Sequence, residues 1–471
     1  DIFTGKVTEN PTEYSEVHTG SAWEPARKHY CGDVSSNMPI ALIVFGDSSH
    51  YGNNGTLKTM PLIFTLSCFN QEARKKVDFW RPMAYIPNLS YGLTESNPLY
   101  TAEKRVQDEH NCLQAALRPL REIHESGGIA FKFRGKAVIG KVWIHFFIGD
   151  TEGFNKWAGQ KPGSNAMGYR DCCCCRGLFS KVRLQCKYYT RELYRQMKDQ
   201  MLNASNKTAF DQVQKDWSMY YIHNAFVDDN VPLSDIIHGV WRMLPPELLH
   251  TTQEGITKYM LYSLSAMIDE GGIKMKQTKK QTKKLKHTLE KLHACIHNSL
   301  RRNSERDIPR GTERVGFLKE TDQKIQAHER RGNLLRLLIL CHTEMAKKLL
   351  FPYLKEHDIL PEELIECIKY YLSMEEWFHT NNSIEEVENS ETMVEFVLEL
   401  IQTAFPRSSG KGYDIQKFHG LAKMREYVRL YGCGINFFGG PGENSHKKFV
   451  KDMACNTQMR IGEFTSQIAK R

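Results

Sequence analysis

Two aspartates stand at the ends of strongly apolar segments, where carboxylates can hold a metal ion. Asp47 follows the run PIALIVFG and Asp150 follows KVWIHFFIG, so each comes directly after a glycine. Uninterrupted apolar runs of this kind predict strands that are buried on both faces. Carboxylates at the ends of such strands can bind Mg²⁺, and a pair of these ions can activate the attacking oxygen and stabilise the leaving oxygen in phosphoryl transfer. Taken singly, either aspartate could instead cap a turn.

A metal pair of this type needs a third carboxylate, and the sequence offers two candidates. Glu443 begins a predicted helix after a Gly/Pro turn, whereas Glu247 lies in LPPELLHT, where prolines precede a helix. Both could simply be helix-start acids that interact with the helix dipole, and spacing does not decide between them. His446 follows Glu443 by three residues and therefore shares its helix face. His50 follows Asp47 by three residues and could orient a phosphate or cap a turn.

A run of four cysteines, residues 172–175, raises the prospect of a zinc site. Neighbouring side chains diverge, but Cys172 and Cys174 could chelate one ion, with Cys186 as a third ligand. A histidine could complete the tetrahedron, and the candidates are His223, His238 and His250. The alternative is a thiol patch without metal. The thirteen cysteines are odd in number and otherwise scattered, which favours a reducing compartment over a secreted disulfide framework.

The elements predicted around the two aspartates would bring them together. Three strand-like segments, PIALIVFGD, MPLIFTLSCF and FWRPMAYIPNL, precede a helix predicted over 101–125. A hairpin, IAFKFRGKAVIG, and the Asp150 strand follow. This order matches the start of an RNase H-like fold, in which the first and fourth strands lie side by side. We therefore predict an α/β protein with an RNase H-like mixed-sheet core.

Beyond the second aspartate the sequence becomes mainly helical, with apolar residues at helical spacing over 334–351 and 361–378. The core would therefore be interrupted by a large, mainly helical insertion. The chain does not begin with Met, and we expect it to be a trimmed chain or a fragment. The predicted regions are a lead-in over 1–37, the first part of the core over 38–160, the insertion with the Cys/His cluster over 161–410, and a core completion over 411–471 that carries Glu443.

Basic residues are concentrated in one segment of the insertion. The 471 residues include 64 Lys and Arg against 55 Asp and Glu, a formal net charge of +9. Seven lysines and no acid fall within 274–286. Such a run could contact the phosphates of nucleic acid, or it could be a solvated helix face or a charged linker. The candidate DNA contacts are Lys279, Lys280, Lys283 and Lys284.

Several other classes of protein find no support in the sequence. No apolar run approaches the roughly 18 residues of a membrane span. The phosphate-binding loop of nucleotide hydrolases, the nucleophile elbow of serine hydrolases, the HExxH zinc motif and the dinucleotide-binding glycine motif are all absent. The chemistry that remains is that of the carboxylates and of the Cys/His cluster.

The motifs together resemble the Plavaka-type DNA transposases, which are related to the Kyakuja-Dileera-Zisupton group of cut-and-paste elements. The resemblance extends from about Trp23 to the C-terminus and is weakest over 271–330. It rests on MPIALIVFGDSSHYGNNGTLKTMPLIFTL, FWRPMAYIPNLSYG, KVWIHFFIGDTEGFNKWAGQ, YRDCCCC, HGVWRMLPPELLHT and FHGLAKMREYVRLYGCGINFFGGPGENSHKKF.

The resemblance implies an RNase H-like core with an Asp-Asp-Glu triad and a helical insertion before the glutamate. Asp47 and Asp150 match the two aspartates. Glu443 and His446 match the family's Glu-x-x-His pattern, which favours Glu443 over Glu247 as the third ligand. The family's Cys-x-Cys motif corresponds to residues 172 and 174, although here the residues around it are cysteines as well.

The activity implied by the resemblance is metal-dependent cleavage and strand transfer of DNA. Two Mg²⁺ or Mn²⁺ ions would be the cofactors, with a structural Zn²⁺ as a further candidate. The partners would be transposon ends and target DNA in the nucleus, and we expect a homo-oligomer and no membrane partner. Two alternatives stay open: an RNase H-like nuclease without strand transfer, and a domesticated relic that only binds DNA.

Overall fold

The chain divides into two compact units in the computed structural model. The first unit comprises Asp1–Glu247, Asn382–Ile384 and Glu426–Arg471, and the second comprises Leu248–Asn381 and Glu385–Arg425. The segment predicted as the insertion, 161–410, is therefore distributed over both units. The structure describes residues 12–51, 57–89, 101–161, 169, 172–173, 187–299, 318, 327–408 and 410–470.

A mixed sheet forms the centre of the first unit. Its order is β3-β4-β2-β7-β6, and β5 also pairs with β4. A separate two-stranded sheet consists of β1 and β8. The strands are β1 Glu13–Tyr14, β2 Asn37–Gly46, β3 Ser49–Tyr51, β4 Leu57–Leu66, β5 Arg81–Pro87, β6 Ile129–Phe133, β7 Lys136–Ile148 and β8 Asn382–Ser383.

The pairing of β2 with β7 confirms the prediction that these two strands are neighbours. They run parallel, with Phe45 opposite Ile148, whereas β4 pairs antiparallel with β2, β3 and β5. Both strands are buried on both faces, as their apolar runs predict, and Phe45 and Phe146 are fully buried. The mixed α/β class is thus present in the structure.

The predicted hairpin is the β6–β7 pair, and β7 continues from it as one strand of thirteen residues. Arg134 and Gly135 form the turn with φ of 50° and 80°. Two successive positive φ values belong to the hairpin turn whose twist matches that of the strands, and glycine adopts such values without strain.

Helices surround the sheet and form nearly all of the second unit. The predicted helix over 101–125 is confirmed: Thr101 caps α3 by accepting a hydrogen bond from the Lys104 amide. The helices are α1 Trp23–Cys31, α2 Gln71–Arg74, α3 Ala102–Glu125, α4 Thr151–Trp157, α5 Arg191–Leu202, α6 Lys207–Trp217, α7 Lys258–Lys274, α8 Lys279–Ser299, α9 Ala327–Cys341, α10 Glu344–Leu349, α11 Phe351–Lys355, α12 Pro361–His379, α13 Ile384–Ala404, α14 Gln416–Ala422, α15 Met424–Tyr431, α16 Gly440–His446, α17 Asp452–Ala454 and α18 Phe464–Ala469, with π-helices at Leu249–Thr257 and Lys447–Lys451.

Residues 187–247 belong to the first unit because their large side chains complete its core. Tyr194 of α5 and Trp241 are at most 1% exposed and belong to the same buried cluster as Val44, Ile144 and Phe147 of the central strands. Removing this much apolar and aromatic surface from water stabilises the sheet strongly. In the described part of the chain, no helix is long and apolar enough to cross a membrane.

The second unit is held together by an apolar core and a buried polar network. Leu337, Ile368 and Val397, from three of its helices, are fully buried. Glu375 of α12 is also fully buried and accepts a hydrogen bond of 3.0 Å from the Gln253 amide. Burial raises the pKa of this carboxyl, an effect that Arg331 partly offsets.

A buried arginine ties three separate segments of the first unit together. The Arg74 guanidinium donates to the carboxylate of Glu16 (2.9 Å), to the side-chain oxygen of Asn436 (2.5 Å) and to the carbonyl of Phe69 (2.6 Å). We expect Arg74→Met to lower the free energy of unfolding by roughly 3 kcal/mol, because it leaves a partly buried carboxylate without its partner. Urea denaturation measures this loss. The exposed Arg118→Met is the matched control, and an equally small effect at both positions would contradict the prediction.

Candidate functional site

The parallel register of β2 and β7 brings Asp47 and Asp150 to the same edge of the sheet. The two residues follow the adjacent strand ends and line one cavity. A Cβ on Gly149 would lie 2.6 Å from the carbonyl oxygen of Gly46, and a Cβ on Gly46 would lie 2.5 Å from the ring of Trp157. The glycines that precede the two aspartates are therefore what lets the strand ends approach each other and the helix behind them.

Three side chains from distant parts of the sequence form a cluster at this edge. One ligand atom each of Asp47, Glu443 and His446 lies within 4.8 Å of the other two. Glu443 Oε2 is 3.5 Å from His446 Nδ1, and Asp47 Oδ1 accepts a hydrogen bond of 2.6 Å from the Ser48 amide. The two carboxylates are partly exposed, whereas the imidazole is buried. The structure therefore brings together the first predicted aspartate, the C-terminal glutamate and the histidine one turn after it.

Close packing of α16 against β2 creates this cluster. Gly442 lies against the Phe45 ring, where a Cβ would come within 2.3 Å of the ring atoms. The same phenylalanine contacts the imidazole of His446, with ring centroids 5.5 Å apart. Phe45 comes two residues before Asp47, so one aromatic side chain sets the distance between the strand end and the helix.

Glu247 holds the turn before α16 and lies outside the cluster of three. Its side chain is only 2% exposed and accepts a hydrogen bond from the Gly439 amide. The carbonyl of Gly439 in turn accepts from the Glu443 amide at 3.0 Å, in the first turn of the helix. This alternative third carboxylate is thus placed where it supports the backbone that carries Glu443.

Asp150 caps a helix while it lines the cavity. Its Oδ1 accepts a hydrogen bond of 2.6 Å from the Gly153 amide at the start of α4. Among the described residues it is not a member of the group whose ligand atoms lie within 4.8 Å of one another. Asp150 therefore follows the strand next to that of Asp47, but its carboxylate is oriented by the helix that it caps.

Basic and acidic side chains that the sequence analysis passed over line the same cavity. Lys156 of α4 forms an ion pair of 2.9 Å with Glu152. Although partial burial acts against the charged amine, Glu109 and Glu152 raise the pKa of Lys156 above its ordinary value. Burial raises the pKa of Glu109. The exposed His50 lies opposite Lys58 in the β3–β4 pair and lines the cavity as well. The helical spacing of residues 152 and 156 after Asp150 is the signal that could have identified the ion pair of Glu152 and Lys156.

Only part of the predicted zinc site falls within the described residues. Cys174 and Cys186 lie outside them, while Cys172 is buried. His223 bonds Asp229 at 3.0 Å and His238 bonds Asp235 at 3.1 Å. Within the described ranges, Cys172 belongs to no group of three metal-ligating side chains. The remaining candidate, His250, lies in the π-helix of the second unit, and the zinc site stays a prediction.

The described cysteines form no disulfide. The described cysteines are Cys31, Cys68, Cys112, Cys172, Cys173, Cys295, Cys341, Cys367, Cys433 and Cys455.

Most of the lysine run lies on the first turns of α8 in the second unit, whereas Lys274 ends α7 and Lys276 lies between the two helices. Lys279, Lys280, Lys283 and Lys284 are exposed. Lys286, by contrast, pairs with Asp269 at 2.6 Å. A capping box starts the helix: the Thr278 amide donates to Gln281 Oε1 at 2.8 Å, and the Gln281 amide donates back to the Thr278 hydroxyl at 3.3 Å. The four candidate lysines thus lie on a solvated helix face rather than in a linker.

Comparison with known proteins gives no family to guide the interpretation of the site, which therefore rests on this geometry. No protein-family model matches the chain, and no curated protein matches it either.

The packing of Gly442 on Phe45 makes a direct prediction about cation binding. We expect Gly442→Ala to weaken Mn²⁺ binding at least tenfold, because the added methyl group displaces Glu443 and His446 from Asp47. Isothermal titration calorimetry measures the affinity. Gly271→Ala, a helical glycine of the second unit whose added Cβ would meet Tyr353 at 3.3 Å, is the control. Unchanged affinity in both variants would show that the cluster does not depend on this contact.

Proposed function

We propose that this protein is a DNA transposase that cleaves and joins DNA strands with a divalent metal ion held in its first unit. The observation that carries the proposal is the clustering of Asp47, Glu443 and His446 at the end of β2, together with Asp150 after the neighbouring parallel strand β7. The motifs that resemble Plavaka-type transposases contain these same four residues. A site built from carboxylates at strand ends suits metal-assisted phosphoryl transfer.

The strand arrangement supports an RNase H-like interpretation of the core. The antiparallel strands β2, β4 and β5 precede α3, with the short β3 between β2 and β4, and β7 then returns parallel to β2. The carboxylates follow the adjacent ends of β2 and β7. The third acidic residue comes from a helix late in the chain, which is the order that the Asp-Asp-Glu triad requires.

The donor set at the cluster fits a hard or borderline divalent cation. Asp47 and Glu443 would supply oxygen ligands and His446 a nitrogen ligand, a combination compatible with Mg²⁺ and especially with Mn²⁺. Asp150 is the further carboxylate, because an aspartate that caps a helix through one oxygen retains lone pairs for a cation. When bound, a metal pair would activate the attacking oxygen and stabilise the leaving oxygen of an in-line displacement.

The chain's own residues orient the ligands and contact the substrate. The Ser48 amide holds the Asp47 carboxylate, and the Phe45 ring holds His446. Lys58 and Arg105 line the cavity beside the acids and can attract a phosphate group. The carboxylate cluster itself repels phosphates unless a cation neutralises it, which favours catalysis over a role in DNA binding alone.

The exposed lysines of α8 give the second unit a surface that suits DNA. Residues 279, 280, 283 and 284 present four ammonium groups within two helical turns. Such a face contacts the phosphate backbone without reading its sequence. We assign it to non-specific DNA contact.

Replacement of the carboxylates provides the test of the catalytic proposal. We expect nicking of DNA in Mg²⁺ or Mn²⁺, and we expect Asp47→Asn, Asp150→Asn and Glu443→Gln each to reduce its rate by about 10³-fold, because several kcal/mol of charge stabilisation are lost. The measurement is conversion of supercoiled plasmid, followed by strand-transfer assays with element ends.

The exposed Glu122→Gln on α3 is the control for these changes, and it should nick DNA as the parent does. If the Asp47→Asn variant nicks DNA as fast as the parent does, the assignment of the metal site is wrong. Nicking without strand transfer on element ends would favour the alternative RNase H-like nuclease.

The lysine face makes a separate prediction about the salt dependence of DNA binding. We expect Lys279→Gln combined with Lys283→Gln to reduce the slope of log affinity against log salt by about 1.8, since each phosphate contact contributes about 0.9. The slope is measured by fluorescence anisotropy between about 50 and 200 mM salt, a range over which phosphate contacts change the affinity strongly. Lys347→Gln with Lys348→Gln on α10 is the matched control. Equal slopes in the two double variants would show that the lysine face of α8 does not contact DNA.

A further inference from the structure

The cavity beside the carboxylate cluster is larger than a metal pair requires. Its volume is about 670 Å³, and it is lined by residues of β4, β5, α3 and α4 in the first unit. Pockets of some 300–1,000 Å³ are typical of sites for small organic ligands. The cavity therefore has room for a molecular group besides the scissile phosphate.

One face of α3 forms a wall of this cavity. Ala102, Arg105, Val106 and Glu109 all line it, and their spacing of three, four and seven residues places them on one side of the helix. The exposed Ala102 and Arg105 lie toward the start of the helix, whereas Val106 and Glu109 are buried. The wall thus changes along the helix from an open, cationic end to a closed end that holds one apolar and one acidic side chain.

The rest of the lining is mixed, with apolar side chains among acidic, basic and amide ones. Met60 of β4 and Ile86 of β5 are 7% and 3% exposed, and the phenol ring of Tyr220 also lines the cavity. These apolar side chains suit the faces of an aromatic ring, which stacks well on tyrosine and on aliphatic side chains. The cations Lys58 and Arg105 border the same space.

Glu109 supplies a polar group in the buried part of the cavity. The residue is 9% exposed, and its Oε1 makes no hydrogen bond within the described part of the chain. Leaving a buried polar atom unpaired is costly, so an atom of this kind calls for an explanation, and a bound ligand that completes the bonding is one. A carboxyl group that is desolvated in this way can accept a hydrogen bond and, when protonated, donate one.

We propose that this cavity holds one unpaired nucleotide of the DNA substrate, with the base against Met60, Ile86 and Tyr220, its polar edge at Glu109 and its phosphate toward Lys58 and Arg105. A nucleotide combines a flat ring, a hydrogen-bonding edge and an anionic group, which are the three features that the walls complement. Removing a base from its stack costs less where the base is already unpaired. The proposal rests on the proposed function, because it presumes a DNA substrate at the adjacent carboxylates.

The test compares two DNA duplexes that differ by a single base. One carries one bulged nucleotide with 2-aminopurine, and the other carries an abasic residue at the bulge. We expect the parent protein to bind the first duplex about tenfold more tightly, as one stacked base contributes, and the 2-aminopurine fluorescence to change on binding. Anisotropy is measured in Ca²⁺, so that binding is read without cleavage.

Cavity variants show whether the preference arises at this site. Ala102→Trp should fill the cavity from an exposed position and abolish the tenfold preference. Glu109→Leu should reduce the preference, and Glu109→Gln should retain it because an amide still donates and accepts hydrogen bonds. Ile139→Trp, at a position on β7 that does not line the cavity, is the matched control. Thermal unfolding monitored by circular dichroism checks that all variants fold.

The outcomes separate this proposal from the proposed function. If the protein nicks DNA but binds the two duplexes equally, the nucleotide subsite is wrong and the catalytic site stands. If the preference holds and disappears in Ala102→Trp while nicking is absent, the subsite stands and the catalytic proposal fails. If free dAMP binds as tightly as the bulged duplex, the cavity serves a free nucleotide, and the assignment to DNA is overturned.

Discussion

The close approach of β2, β7 and α16 is the constraint on which the candidate site depends. Parallel pairing of two buried strands places their ends side by side, but only glycine at positions 46 and 149 allows those ends and α4 to pack without collision. The same principle operates at Gly442, where the helix backbone rests on Phe45. Because interiors pack at close to crystal density, one methyl group at such a contact shifts the elements apart.

Electrostatic repulsion between carboxylates opposes this arrangement. Several carboxylates line one cavity, and carboxylates at short range oppose each other's ionisation. Lys156, held by Glu152 at 2.9 Å, provides positive charge within the same walls. Asp150 is stabilised further by the amide at the start of α4, where the helix dipole favours negative charge. A divalent cation would complete this compensation at Asp47 and Glu443.

The sequence predicted the central elements well because their signals are local. Apolar runs that end at Asp47 and Asp150 identified both buried strands, and the helical spacing after Thr101 identified α3. The sequence did not reveal that residues 187–247 pack on the sheet. Large aromatic residues such as Tyr194 and Trp241 indicate burial, but they do not indicate which surface covers them. The roles of Glu247 and Glu109 were hidden for the same reason, since each depends on contacts with distant segments.

By itself the sequence determined which residues could perform metal chemistry and which strands would carry two of them. Only the tertiary structure decided which acids meet: Glu443 and His446 join Asp47, while Glu247 lies behind the helix and supports Gly439. Residue types and periodicity report local conformation and burial, whereas the meeting of residues nearly 400 positions apart depends on how helices and strands pack. That packing is set by the glycines and by Phe45, whose significance no local pattern reveals.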